Sequence, residues 1–445
     1  MRCKPWLYPI LALLSLTAHA APTQEFTLAN GLKVVVREDH RAPVAVTQIW
    51  YRVGSSYDPA GTTGMSHALE HMMFTGTDKV PAGEFSRLVA WFGGTDNAFT
   101  TDDYTAYYQV YSSNRVPLAL EMEADRMVNL KMSAESFAQE IRVVMEERRQ
   151  RTDDNPQAQA MERFQALALF TTPHRTPTIG WMQDLQNLTV EDLRSWYRQW
   201  YAPNNATLVV VGDVDPNRIR ELAEQYFGAI PAQPLPVMAP PRELSQPGQR
   251  DMQLSLPAKV PALYMGFNVP SLTTAASPKD AYALRMLLSI LDGGISARLE
   301  SRLIREQRTL ASIITSYSLL ARGDTLFTIT AIPSEGVTLE QARQKILDEL
   351  EALKTESISP QELERVYAGV IADNVFRLDN IQEQASLIGM LESIGVGWKV
   401  MDSLEENLKA ITPDDIRNAA RQWLSGNNMS TLLLKPAALN IGEAK

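Results

Sequence analysis

The sequence predicts an α+β protein in which one domain occurs twice, each copy an α/β sandwich of helices packed on a sheet. Three features of the chain predict it. Runs of β-branched residues interleave with long helix-favouring stretches, the pattern of strands and helices sharing one core. Residues 188–208, LTVEDLRSWYRQWYAPNNATL, return at 411–431 as ITPDDIRNAARQWLSGNNMST. The two copies match without a gap at Thr189/Thr412, Asp192/Asp415, Arg194/Arg417, Arg198/Arg421, Trp200/Trp423 and Asn205/Asn428. A spacing of 223 residues is too long for a solenoid repeat and fits a duplicated domain. Third, prolines at 231, 234, 236, 240, 241 and 247 make residues 231–248 a stiff linker between the copies. The expected organisation is a first domain over 21–230 and a second over 249–445.

Arg2 and Lys4 precede a short apolar run, and Ala18-His19-Ala20 supplies small residues after it. That arrangement reads as a secretory signal peptide over 1–20, cleaved near Ala20. Export follows, to the periplasm or the medium, with no membrane insertion, because no later run is long and apolar enough to span a bilayer. Cys3 is the only cysteine and leaves with that peptide, so core packing alone must hold the mature fold. Hydrophobic residues at 45% and charged residues at 21% describe an ordinary globular protein. A formal net charge of −10 argues against a nucleic-acid partner, which calls for clustered Lys and Arg.

Residues 25–36 read as two strands turned at Asn30-Gly31, the strongest short hairpin signature. A third strand is expected over 44–53, and Ala42-Pro43-Val44 is echoed by Val260-Pro261-Ala262. A helix follows over 64–74, another ends at Trp91-Phe92-Gly93-Gly94, and Asn97–Thr100 with 105–111 make a second hairpin. Ser133 is placed to cap a long acidic helix running toward Arg151. A helix leading into a strand over 207–211 completes the copy, and the same pair recurs at its end in the second copy.

The chemistry concentrates in the first of these helices, His67-Ala68-Leu69-Glu70-His71. Imidazoles four residues apart on a helix project from one face and can share one tetrahedral metal. Glu70 leans to the same side, where a carboxylate can take a proton from water. His-x-x-Glu-His is the inverted form of the His-Glu-x-x-His metalloprotease helix. The chain has five histidines and none after His174, so the second copy cannot rebuild the pair. Two histidines need a third protein ligand. His40 and His174 qualify by residue type. Glu140, Glu146 and Glu147 of the acidic helix are better placed, and Glu140 and Glu147, two turns apart, share one face.

Together, the His-x-x-Glu-His helix, Asn97-Ala98-Phe99-Thr100, the Glu140…Glu147 helix, the duplication and the linker resemble the pitrilysin/insulinase family of zinc peptidases. This family includes the mitochondrial processing peptidase, and the resemblance covers essentially the whole chain after the signal. It implies one Zn2+ per chain, held by His67, His71 and Glu147, with Glu146 the alternative if the register is off by one. Glu70 becomes the general base and Glu140 the acid behind the metal. The strand with Asn97, Ala98 and Phe99 would offer its edge to a peptide backbone. Many members that act alone carry an arginine followed seven residues later by a tyrosine that hold substrate. Here Arg305 is present, Ser312 stands at the tyrosine position, and Tyr317 is five residues out of register.

That departure implies a partner subunit of similar sequence without the metal motif, which would supply the missing contacts. The expected function is therefore an exported zinc endopeptidase acting on peptides or unfolded protein segments, as the catalytic subunit of a heterodimer. The alternatives are a non-catalytic assembly subunit that kept the fold and a self-sufficient homodimeric peptidase.

Overall fold

The computed structural model describes residues 23–437; the expected signal peptide lies outside the described residues. In chain order the first half runs β1 (Gln24–Thr27), β2 (Lys33–Glu38), β3 (Val44–Tyr51), α1 (Met65–Met72), α2 (Phe85–Trp91), β4 (Thr95–Thr100), β5 (Thr105–Ser112), α3 (Val116–Asn129), α4 (Ala134–Arg148), α5 (Pro156–Ala168), α6 (Met182–Asn187), α7 (Val190–Trp200), β6 (Ala206–Gly212) and α8 (Pro216–Phe227). The second runs β7 (Arg250–Leu256), β8 (Ala262–Val269), α9 (Pro278–Leu291), β9 (Leu310–Tyr317), β10 (Thr325–Pro333), α10 (Leu339–Thr355), α11 (Pro360–Leu378), α12 (Ile381–Ser393), α13 (Val400–Lys409), α14 (Pro413–Trp423) and β11 (Met429–Pro436). Residues 231–249 between them carry no helix or strand.

The duplication predicted from the repeat extends to topology. The sheets run β1-β2-β6-β3-β5-β4 and β7-β11-β8-β10-β9, the same order once the β1 hairpin strand is set aside. Each contains one parallel pair, β2/β6 and β7/β11, and is otherwise antiparallel. The repeated helix is capped alike in both copies. Thr189 and Thr412 each accept from the backbone N–H three residues on, and Asp192 and Asp415 reciprocate. Asn205 and Asn428 then donate to the carbonyls of Trp200 and Trp423 across the turn into β6 and β11.

Each half buries a separate core between its sheet and helices. One is built on Ile49, Tyr107, Leu208 and Leu193, the other on Met265, Phe267, Ile329 and Leu287. The opposite face of each sheet is covered by a helix from the other half. Helix α12 lies on β3 and β6 through Ala385 and Ile388 against Trp50 and Val209. Helix α5 lies on β7, β8 and β11 through Ala160, Phe164 and Ala168 against Tyr264 and Leu432. Both contacts are closed by a glycine under an aromatic ring. A Cβ on Gly389 would stand 2.1 Å from the Trp50 ring, and one on Gly266 would stand 2.7 Å from Phe164.

Three expectations change in detail. The third strand stops at Tyr51 rather than 53, and α1 spans Met65–Met72 rather than 64–74. The acidic helix is α-helical only to Arg148. It then widens into a π-turn over Arg149–Asp153, where the N–H of Asp154 reaches back to the carbonyl of Arg149. The buried Arg148 guanidinium, fixed to Glu162 and the Gly180 carbonyl, anchors the chain where the register changes.

Candidate active site

Helix α1 is short and held at its start. Met65, Ala68, Leu69 and Met72 are buried at helical spacing, so packing alone fixes which face is turned inward. Gly64, at φ +87°, leads in where a Cβ would meet the Ile179 carbonyl at 2.6 Å. The buried Asp58 carboxylate caps the first turn. It accepts from Gly64 N at 2.8 Å, Ser66 N at 3.2 Å and Ser66 Oγ at 2.7 Å. Burial pushes Asp58 up to about 7 in spite of those bonds. Trp196 of α7 donates to Ser66 Oγ at 3.1 Å and ties the helix to the core.

That inward face leaves His67, Glu70 and His71 half-buried on the other side, toward α4 and β4. The rings of His67 and His71 stand 4.9 Å apart at 70°. Glu147 Oε2 lies 3.8 Å from His67 Nε2 and 3.3 Å from His71 Nε2. One donor atom from each of the three falls within 4.8 Å of the others, the one such group among the described residues. Ligand bonds of about 2.0–2.1 Å in a tetrahedron set donors about 3.3–3.4 Å apart; the His71–Glu147 separation matches that, and a small side-chain adjustment at His67 would let the trio take a zinc-sized ion. Glu140 Oε2 is 3.6 Å from His71 Nδ1, behind the ring. Glu146, one residue from Glu147, is instead exposed and paired with Arg149 and Gln150.

The electrostatics favour ligation at His67 and Glu147. Burial, helped by the neighbouring His71, pushes the His67 imidazole down to about 4; it stays neutral with a lone pair free, and its Nδ1 is buried without a partner. Burial also works against a charged His71, but hydrogen bonding to Glu147 and the surrounding carboxylates hold it above its ordinary value. The bond to His71 holds Glu147 below the usual carboxylate range, and Arg151, one turn on, pairs with its other oxygen at 2.6 Å. Glu70 is raised, chiefly by burial, against a 2.5 Å bond that Thr100 Oγ1 donates to its Oε2.

Asn97, Ala98 and Phe99 lie on β4, the edge strand of its sheet, and line one cavity of about 470 Å3 together with His67, Glu70 and His71. Arg305 is not brought there. It is exposed in the second half, outside the cavities that hold the histidines. Ser312 is half-exposed on the edge strand β9, whereas Tyr317 is buried with its hydroxyl donated to the Pro270 carbonyl at 2.8 Å. His40 and His174 are not ligands of this cluster. His40 pairs with Asp213 and Glu38, and His174 is buried against Asp103 at 2.9 Å. Asp58 and Thr100 were not distinguishable in sequence as the cap of α1 and the partner of Glu70, since both act across loops or strands.

The family model described as Insulinase (Peptidase family M16) matches residues 33–180, and that described as Peptidase M16 inactive domain matches residues 187–370. Zinc protease PqqE of Helicobacter pylori is 31% identical over 440 residues, covering 96% of this chain and 97% of that protein. An uncharacterised zinc protease of Streptomyces coelicolor is 27% identical, covering 92% of this chain and 89% of that one. Among solved structures, a protease from Helicobacter pylori superposes with a TM-score of 0.87 at 29% identity, covering 94% of this chain and all of that one (100%). The periplasmic protease PqqL of Escherichia coli shares the fold with a TM-score of 0.79 at 17% identity, covering 94% of this chain and 48% of that one.

Proposed function

We propose, from the premise that the chain belongs to the insulinase (peptidase M16) family, that it is an exported zinc endopeptidase acting on peptides and unfolded protein segments. The observation that carries this reading is the convergence of His67, His71 and Glu147 beside Glu70 in one cavity. The Helicobacter and Streptomyces relatives, named zinc proteases, support zinc as the ion. A signal peptide over 1–20, a catalytic domain over 21–230, a linker over 231–248 and a second domain over 249–445 complete the proposal.

His67, His71 and Glu147 would hold the ion. Bound there, zinc supplies Lewis acidity, making water more acidic and polarising a carbonyl. Glu70 moves the proton: its free Oε1 takes it from the attacking water and returns it to the leaving amine. Thr100 holds Oε2 and so fixes the orientation of that carboxylate, while burial makes it a stronger base. Glu140 braces His71 from behind. The edge of β4 takes the substrate backbone as an added strand, so many sequences can bind.

The same reading makes the chain the metal-bearing subunit of a heterodimer. Its support is Ser312 at the tyrosine position, the buried Tyr317 and the exposed Arg305, with a match to only 48% of the longer PqqL chain. The experiment is Glu70→Gln assayed on a denatured-protein substrate. Hydrolysis should fall by about 10²- to 10⁴-fold with zinc content unchanged, and full activity in that variant sinks the assignment. Full activity of the purified chain without a partner sinks the heterodimer.

A further inference from the structure

A second cavity, of about 380 Å3, adjoins the first and shares His67, Thr100, Glu147 and Arg151 with it. It continues along α5, past Ala158, Met161 and Gln165, to the turn at Pro173–Arg175. Its charge is unlike that of the rest of this acidic chain. Its acid on α5, Glu162, is neutralised by two hydrogen bonds from the buried Arg148, at 2.8 and 3.0 Å. Glu147 is committed to the histidines and Arg151.

Arg175 is left. Its guanidinium is exposed, its contact among the described residues is a 3.3 Å bond to the Phe170 carbonyl, and no ion-pair partner is within reach there. The turn that presents it is rigid. Thr172 caps it, and the residue before Arg175, His174, is buried and pinned to Asp103, which also receives Arg322 from the second half. An unpaired cation on a fixed turn, facing a cavity continuous with the candidate metal centre, is a recognition element.

We infer that this cavity is a subsite that selects an acidic side chain beside the scissile bond of the substrate, with Arg175 as the residue that sets the preference. The inference rests on the peptidase reading, since it names which peptides that site favours.

The test is equilibrium binding of two labelled peptides, identical except for Asp or Lys at the three central positions, to zinc-loaded Glu70→Gln chain. Hydrolysis of both by the zinc-loaded wild-type chain is followed in parallel. The Asp peptide should bind about tenfold more tightly at low salt. Arg175→Glu should reverse the order with zinc content unchanged, and Arg175→Lys should keep it. Equal binding, no binding of either, or a preference that survives Arg175→Glu overturns the inference. An Asp preference that depends on Arg175, in a chain that retains no zinc after loading and dialysis, upholds the subsite and sinks the peptidase reading instead.

Discussion

In the first half, α1 lies against α4 and α7; in the second, α9 lies against α11 and α14 in the same arrangement. The register set by Pro43 and Pro261 puts Arg285, Leu288 and Ser289 where the first half has His67, Glu70 and His71. Those are also the α9 positions between Arg285 and Ser289 that are not buried, just as His67, Glu70 and His71 are in α1. Counting from the matching N-caps Ser133 and Ser359, Asp373 of α11 stands where α4 has Glu147. There the Arg285 guanidinium donates to Ser289 Oγ at 2.6 Å, and Asp373 offsets part of the cost of its burial. One scaffold therefore carries a trio of possible metal ligands in one copy and an organic cation near a carboxylate in the other. The scaffold sets where the side chains meet; a handful of residue identities sets whether they can hold a metal.

The largest effect that sharpens this contrast comes from Glu140, whose carboxylate stands 3.6 Å from His71 Nδ1 and is proposed to brace it. Glu140→Gln should cut activity by about 10- to 100-fold and weaken zinc retention, measured by turnover and by zinc content after dialysis against a chelator. An unchanged variant would reduce Glu140 to surface charge. Next is the exchange of helices that joins the halves. Gly389→Ala forces a methyl into the Trp50 ring and should cost about 1–3 kcal/mol, seen as a lowered Tm. Gly266→Ala, with 2.7 Å to Phe164 rather than 2.1 Å, should cost less. The reverse ranking would mean that α5, not α12, is the tighter clasp.

The smallest effect is electrostatic. Burial alone would lower His174, but the Asp103 carboxylate, with Asp102 nearby and Arg322 opposing, holds it above its ordinary value. A raised histidine stabilises the fold fully below its unfolded pKa of about 6.5, and this contribution fades as pH rises through the folded value. Thermal stability should therefore decline on the alkaline side of about pH 6.5, and Asp103→Asn should flatten that slope. An unchanged slope in the variant would show that the junction between the halves does not titrate through His174.

Much of the fold was legible because it is written locally. Asn30-Gly31 names its hairpin, Thr189 and Thr412 name their caps, and His67 and His71 name a shared helix face. The gapless repeat carried the duplication, and with it the matching sheet orders. What was hidden depends on contacts distant in sequence. The exchange of α5 and α12 rests on Phe164 over Gly266 and Trp50 over Gly389, pairs more than a hundred residues apart that leave no periodic mark. Asp58 looks like a loop acid until α1 is folded onto it. The π-turn after Arg148 depends on Glu162 and Gly180 holding that guanidinium, which no helical pattern within 134–151 could announce. Arg175 reads as an ordinary loop arginine until the cavity around it is formed.

If α1 and α4 together hold one ion and the second half holds none, zinc per chain must be one. The most direct measurement is zinc per chain, by elemental analysis after dialysis against a weak chelator, for the wild-type chain and Glu147→Gln. One zinc per wild-type chain, with a large loss in Glu147→Gln, is the predicted result. A full complement in Glu147→Gln, or two ions per wild-type chain, would contradict it.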